Sequence, residues 1–208
     1  LVQKMCNRKF GIGSDGLMIL SKKAGVDFHL QFFNPDGSGD LVFQPQQAKT
    51  SGQTFSTLIL LKDSLNNSAR DYVVKFEVTT EKQLRSSTPN EWEVFWFVGN
   101  YKKEVPKGKT ANYFVLKPTM GAEFGRMFED VGQHFLKTDS ASNQPIGERA
   151  TFIIVKEHKK FQVYKNGLQI LDYQGGAMHE SLYDQAGAVG LYAEDAVVRV
   201  HSFAYQNL

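Results

Sequence analysis

Residues 161–173 read FQVYKNGLQILDY and residues 187–205 read GAVGLYAEDAVVRVHSFAY. In the first stretch, Phe161 to Tyr164 and Leu168 to Tyr173 are strand-like and flank Lys165-Asn166-Gly167. The Asn-Gly pair supplies the two left-handed residues that a tight hairpin turn prefers. In the second stretch, Val189 to Tyr192 and Val197 to Tyr205 carry the β-branched and aromatic residues that suit a pleated surface. Working outward, the same pattern recurs at Leu41-Val42-Phe43, Thr57 to Leu61, Asp71 to Thr79, Glu91 to Val98, Asn112 to Lys117 and Thr151 to Lys156. Asp71 to Thr79 alternates most cleanly, through Tyr72, Val74, Phe76 and Val78. Helical periodicity is nearly absent, and Gly125 to Val131 is the one expected helical turn. About ten short strands with polar turns predict an all-β fold of two packed antiparallel sheets.

The chain has 208 residues, enough for one substantial core, with 41% hydrophobic and 22% charged residues. A net charge of +2 is too small and too evenly spread for a nucleic-acid or membrane surface. The densest basic runs, Lys102-Lys103 and Lys159-Lys160, are expected in solvated turns. Cys6 is the sole cysteine, which rules out an internal disulfide and a clustered-thiolate zinc site. No run of about 18 apolar residues exists, so no membrane span is expected. The first residues do not read as a signal peptide, because Lys4, Arg8 and Lys9 lead into a Gly- and Asp-containing stretch. The compartment stays open; secretion is compatible if a signal lies outside this sequence. The one sequon, Asn66-Asn67-Ser68, decides nothing.

Gly11-Ile12-Gly13-Ser14-Asp15-Gly16 matches the dinucleotide fingerprint, but that motif needs a helix after it, and Leu17 to Leu20 continues as a strand. Phe28 to Phe33 follows as a second strand after the turn Ser21 to Gly25, and Asn34-Pro35-Asp36-Gly37 is a strong turn signal. Arg8 to Ser38, with its FGIGSDG and FNPDGS motifs, resembles the amino-terminal part of a diaminopimelate epimerase. The resemblance implies that Asn34 corresponds to a substrate-contacting asparagine. It also implies two catalytic cysteines, the first just after the FNPDGS turn. Here that place holds Gly39-Asp40-Leu41-Val42-Phe43, the second cysteine motif is absent, and Cys6 matches neither. Two-thiol racemisation cannot run on one misplaced thiol, so epimerase activity is not expected. Residues 1–38 are expected to be a fusion remnant forming a β-hairpin-like extension, with 39–208 as the main domain.

From about residue 55 to 208 the chain resembles concanavalin A-like lectin and glucanase jelly rolls, including family-16-glycosidase-like domains. The carrying segments are Asn90 to Trp96, Asn112 to Pro118, the Asn166-Gly167 hairpin and the closing Gly187 to Val200. The resemblance implies a two-sheet antiparallel jelly-roll sandwich. It leaves lectins, hydrolases and plain interaction modules open as functions.

The sharpest chemical candidate is Glu91-Trp92-Glu93-Val94-Phe95-Trp96. On a strand, Glu91, Glu93, Phe95 and Phe97 share one face and Trp92, Val94 and Trp96 the other. Glu91 and Glu93 would then lie about 7 Å apart, within the roughly 5 to 9 Å that glycoside hydrolysis uses. The family-16 pattern E-x-D-x-x-E is not met, because positions 91, 93 and 96 hold Glu, Glu and Trp. Three readings stay open: a glycan-binding face, a hydrolase using Glu91 and Glu93, and a structural or protein-interaction sandwich. The first is preferred, with Trp92, Glu93, Trp96, Asn100, Tyr101 and Tyr113 lining or bordering a site on the concave sheet. Aromatic faces stack on sugar rings while amides and carboxylates bond hydroxyls. Glu123 is expected in a surface ion pair with Arg126. His134, His158, His179 and His201 show no ligand spacing, so neither metal nor cofactor is expected. Glu194-Asp195 could at most donate to a structural calcium.

Overall fold

The computed structural model describes residues 17–23, 26–33, 39–48, 50, 52–61, 70–85, 88–102, 110–128, 132–176 and 186–208, with the backbone alone for 17–33 and 128. Cys6, the Gly11 to Gly16 motif, the Asn34 to Gly37 turn, the sequon and His179 lie outside the described residues.

Fourteen strands are described: β1 (Leu17–Lys23), β2 (Val26–Phe33), β3 (Leu41–Phe43), β4 (Ser56–Leu60), β5 (Tyr72–Gln83), β6 (Phe95–Lys102), β7 (Thr110–Leu116), β8 (Ala122–Phe128), β9 (Gly132–Asp139), β10 (Arg149–Glu157), β11 (Lys160–Lys165), β12 (Leu168–Gln174), β13 (Ala188–Glu194) and β14 (Ala196–Asn207). They form two antiparallel sheets. One has eight strands in the order β1-β2-β14-β5-β10-β11-β12, with β3 also paired to β14; the other has six, in the order β4-β13-β6-β7-β8-β9. The molecule is the expected all-β, two-sheet sandwich.

The core lies between the sheets. Tyr72, Val74, Phe76 and Val78 of β5 and Phe152 and Ile154 of β10 meet Phe95, Phe97, Phe114 and Leu116 of the six-stranded sheet. The Lys165-Asn166-Gly167 turn closes as read: Lys165 pairs with Leu168, and Asn166 and Gly167 take φ of 50° and 86°, which suits a two-residue hairpin.

Three local expectations are corrected. Gly125 to Phe128 is part of strand β8, not a helical turn; residues 129–131 lie outside the described set. Gly125 faces Tyr113 across the ladder, and a Cβ there would sit 2.5 Å from both the Tyr113 hydroxyl and the His134 carbonyl. The glycine therefore marks close approach of neighbouring strands. Strand β6 begins at Phe95, because residues 90–94 form a turn held by Glu93 N–H to the Asn90 carbonyl (3.1 Å) and Val94 N–H to the Trp92 carbonyl (2.9 Å). The strand count also exceeds ten, since β8 and β9 were unread.

Candidate functional site

The turn at 90–94 separates the two carboxylates expected on one strand face. Glu93 has no exposed surface: its carboxylate accepts from Arg85 Nε, from Asn90 N–H (3.1 Å) and from Asn90 Nδ2 (2.8 Å). Arg85 also reaches Asp195 Oδ2 at 3.1 Å, and Asp195 Oδ1 accepts the Phe55 N–H at 3.1 Å. Glu91 turns elsewhere, accepting the Thr119 N–H at 2.8 Å. Asn100, with φ of 52°, points into a buried amide network, accepting from the Tyr72 hydroxyl (3.1 Å) and from Asn112 Nδ2 (3.0 Å).

Past Phe95 the expected alternation holds. Phe95 and Phe97 enter the main core, while Val94 and Trp96 join Tyr113 and Val115 in a second apolar cluster on the opposite face of the six-stranded sheet, packed against Met127 and Tyr192. Across this outer face Tyr192, Trp96, Val115 and Glu123 stand in one register row. The Trp96 ring lies 5.1 Å from Tyr113 and 5.6 Å, edge-on, from Tyr192. Trp96 is only 3% exposed, whereas Trp92 is 44% exposed.

Two carboxylates border the cluster. Glu123 is buried rather than in a surface pair, accepting from the Tyr113 hydroxyl and Lys117 Nζ, both at 2.7 Å. Burial, then the bond to Glu123 and its charge, pushes the Tyr113 phenol well above its ordinary value. Glu194 accepts from the Tyr192 hydroxyl at 2.6 Å and from the Trp92 indole. Burial raises its carboxyl above the usual range, Asp195 and Glu93 add to the effect, and the two hydrogen bonds oppose it. Burial and then Glu194 likewise raise the Tyr192 phenol, against a bond from Ser56. Glu194 and Glu123 stand three strands apart, about 14 Å between their backbones at a strand spacing of about 4.8 Å.

Beside the cluster runs a groove of about 380 Å³. Its floor is apolar, from Leu58, Val98, Ala111 and Met127, and its polar lining comes from Ser56, Tyr101, Thr110, Gln133 and Tyr192, with Gly132. Of the expected residues, then, Tyr101 lines the groove, Trp96 and Tyr113 form a packed layer beside it, and Trp92 reaches it through Glu194 and Tyr192. Glu93 and Asn100 belong to buried networks elsewhere. Most of the lining has no sequence signal: Leu58 and Val98 look like ordinary strand residues and Met127 falls in the expected helical turn, until the register aligns them.

The eight-stranded sheet carries a separate polar network. Thr79 Oγ1 lies 3.0 Å from His201 Nε2, and His201 Nδ1 lies 2.9 Å from Asp40 Oδ1, with Arg199 bridging Asp40 (3.3 Å) and Glu81 (2.5 Å). This His–carboxylate contact spans most of the chain and had no sequence signal. Glu194 and Asp195 do not converge on a common point, and among the described residues no group of three or more His, Cys, Asp or Glu could hold a metal. Among those residues no helix is long and apolar enough to cross a membrane.

No family model matches the chain. Over 38 residues it is 47% identical to the diaminopimelate epimerase of Flavobacterium psychrophilum; that segment is 18% of this chain and spans 15% of the epimerase's length. The epimerase of Gluconobacter oxydans is 51% identical over 39 residues, again 15% of its length. Among solved structures, the carbohydrate binding module CBM66 from Bacillus subtilis aligns with a TM-score of 0.50 at 15% identity, covering 82% of this chain and 93% of the module. That likeness shows the fold: a concanavalin A-like jelly-roll sandwich, preceded by a short epimerase-like segment.

Proposed function

We propose that this domain binds carbohydrate on the outer face of the six-stranded sheet, without catalysing its hydrolysis. The observation that carries this reading is the groove itself. An apolar floor of Leu58, Val98 and Met127 suits the C–H face of a sugar ring, and the Tyr101, Ser56, Thr110 and Gln133 polar groups suit its hydroxyls. A volume of about 380 Å³ falls in the range of small-molecule sites. The fold shared with a carbohydrate binding module supports the reading, though fold alone does not assign function. Hydrolysis has no comparable support, because among the described lining residues there is no carboxylate.

Affinity electrophoresis and a glycan array test the proposal. Wild-type protein should be retarded by at least one polysaccharide. Tyr101→Ala and Gln133→Ala should each weaken that binding about three- to tenfold, the worth of a lost hydrogen bond or ring contact, with the melting temperature retained. Trp96→Ala is a poor probe, since that ring is packed inside the second cluster. If no glycan binds, the protein-interaction reading takes over.

A further inference from the structure

The groove draws lining residues from every strand of the six-stranded sheet: Ser56 and Leu58 on β4, Tyr192 on β13, Tyr101 on β6, and so on to Met127 on β8 and Gln133 on β9. Strands β4 and β9 are the two edges of that sheet. Five inter-strand spacings of about 4.8 Å make the path about 24 Å long. Both of its ends are therefore sheet edges, where a chain can enter and leave. A pocket for one terminal sugar would instead gather its polar groups at a single point.

The lining also speaks to charge. Among its described residues none carries a formal charge, so a carboxylate or sulfate on a ligand would meet neutral donors there and no ion-pair partner. At the β4–β13 end an acidic group adjoins the groove. Glu194 faces Ser56 in the ladder and accepts the Tyr192 hydroxyl, and both partners line the groove.

We infer that the groove holds an internal stretch of an uncharged, unbranched glycan lying across all six strands. This rests on the carbohydrate-binding reading and narrows it to a ligand class. The polar groups at the two edges, Ser56 and Gln133, contact sugar units several residues apart. Acidic glycans of the same length bind more weakly, because none of the described lining residues is cationic and Glu194 adjoins the β4–β13 end.

Calorimetry on the full chain tests this with neutral gluco-, manno- and xylo-oligosaccharides from disaccharide to hexasaccharide, beside oligogalacturonides of matching lengths. For the neutral series that binds, affinity should climb at least about tenfold from disaccharide to hexasaccharide. Ser56→Ala and Gln133→Ala should each weaken hexasaccharide binding about three- to tenfold, while a disaccharide senses at most one of them. Oligogalacturonides should bind at least about tenfold more weakly. Affinity independent of length, with only one edge variant effective, would overturn the extended-chain inference and leave carbohydrate binding standing. Tighter binding of the oligogalacturonides would overturn the uncharged assignment. Binding of no glycan at all would sink this inference together with the reading it rests on.

Discussion

Glu194 shows how one side chain links the site to stability. Its carboxyl is raised above the usual glutamate range, by burial first and then by Asp195 and Glu93. A raised folded-state value means that its stabilising contribution is complete below the unfolded value and is lost as pH rises through the folded one. Glu194→Gln removes that titration. Urea denaturation of both proteins across a pH series should show the wild type losing stability relative to the variant as pH climbs above about 4.5; parallel curves would refute the assignment. The Arg85 cluster behaves differently. Arg85 stands between two carboxylates that have no exposed surface, Glu93 and Asp195. Arg85→Met would leave two buried carboxylates without their cation. Glu93→Gln instead removes one charge, leaves Arg85 paired with Asp195, and gives up one of the two Asn90 bonds, which fall on different carboxylate oxygens. Thermal melts should therefore rank Arg85→Met well below Glu93→Gln. Stranding a fully buried carboxylate such as that of Glu93 costs about 3–5 kcal/mol.

At the scale of elements, strands β1 and β2 of the epimerase-like segment belong to the eight-stranded sheet. β2 pairs with residues 203–205 of β14, and β3 pairs with residues 198–200 on the same side. Leu30 of β2 pairs with Phe203 and Leu41 of β3 with Val200, so the two strands lie along successive parts of the same side of β14. Deleting residues 1–38 would bare the end of β14, and an unpaired edge is a template for another chain. The truncated protein should melt several degrees lower and self-associate on size-exclusion chromatography. An unchanged, monomeric profile would make the hairpin dispensable. The elements legible in the sequence were those with one simple period or one strong turn: β5, with its Tyr72 to Val78 alternation, and the Asn166-Gly167 hairpin. β8 and β9 escaped for physical reasons. Glu123, Phe124, Gly125 and Arg126 are all buried, so β8 shows no inside–outside alternation, and edge strand β9 is mostly exposed on both faces. The turn at 90–94 escaped because Glu93 and Trp92 look like strand residues until Arg85 and Asn90 capture the carboxylate.

For the whole molecule, the sheets are joined by packed phenylalanines, Phe76 on Phe97 and Phe161 on Phe124 among them. The groove's floor residues Leu58 and Met127 lie four strands apart in the sheet, so no local pattern could announce them; only the long-range register brings them into one surface. Phe152 is the clearest joint. It lies in the eight-stranded sheet with its ring 5.4 Å from Phe76 of the same sheet, and 5.2 and 6.3 Å from Phe95 and Phe114 of the other. Removing a fully buried Phe to Ala leaves a cavity and costs about 3–5 kcal/mol. Because Phe152 touches both sheets, its loss should destabilise both together. The two tryptophans belong to the six-stranded side, so their fluorescence follows that sheet, whereas far-UV circular dichroism follows both. In Phe152→Ala the two urea midpoints should fall by equal amounts and stay coincident, as one cooperative unit requires. If the fluorescence midpoint moved away from the dichroism midpoint, the sheets would be separable. The groove sheet could then persist without its partner, and glycan affinity would survive conditions that melt β5, β10 and β14.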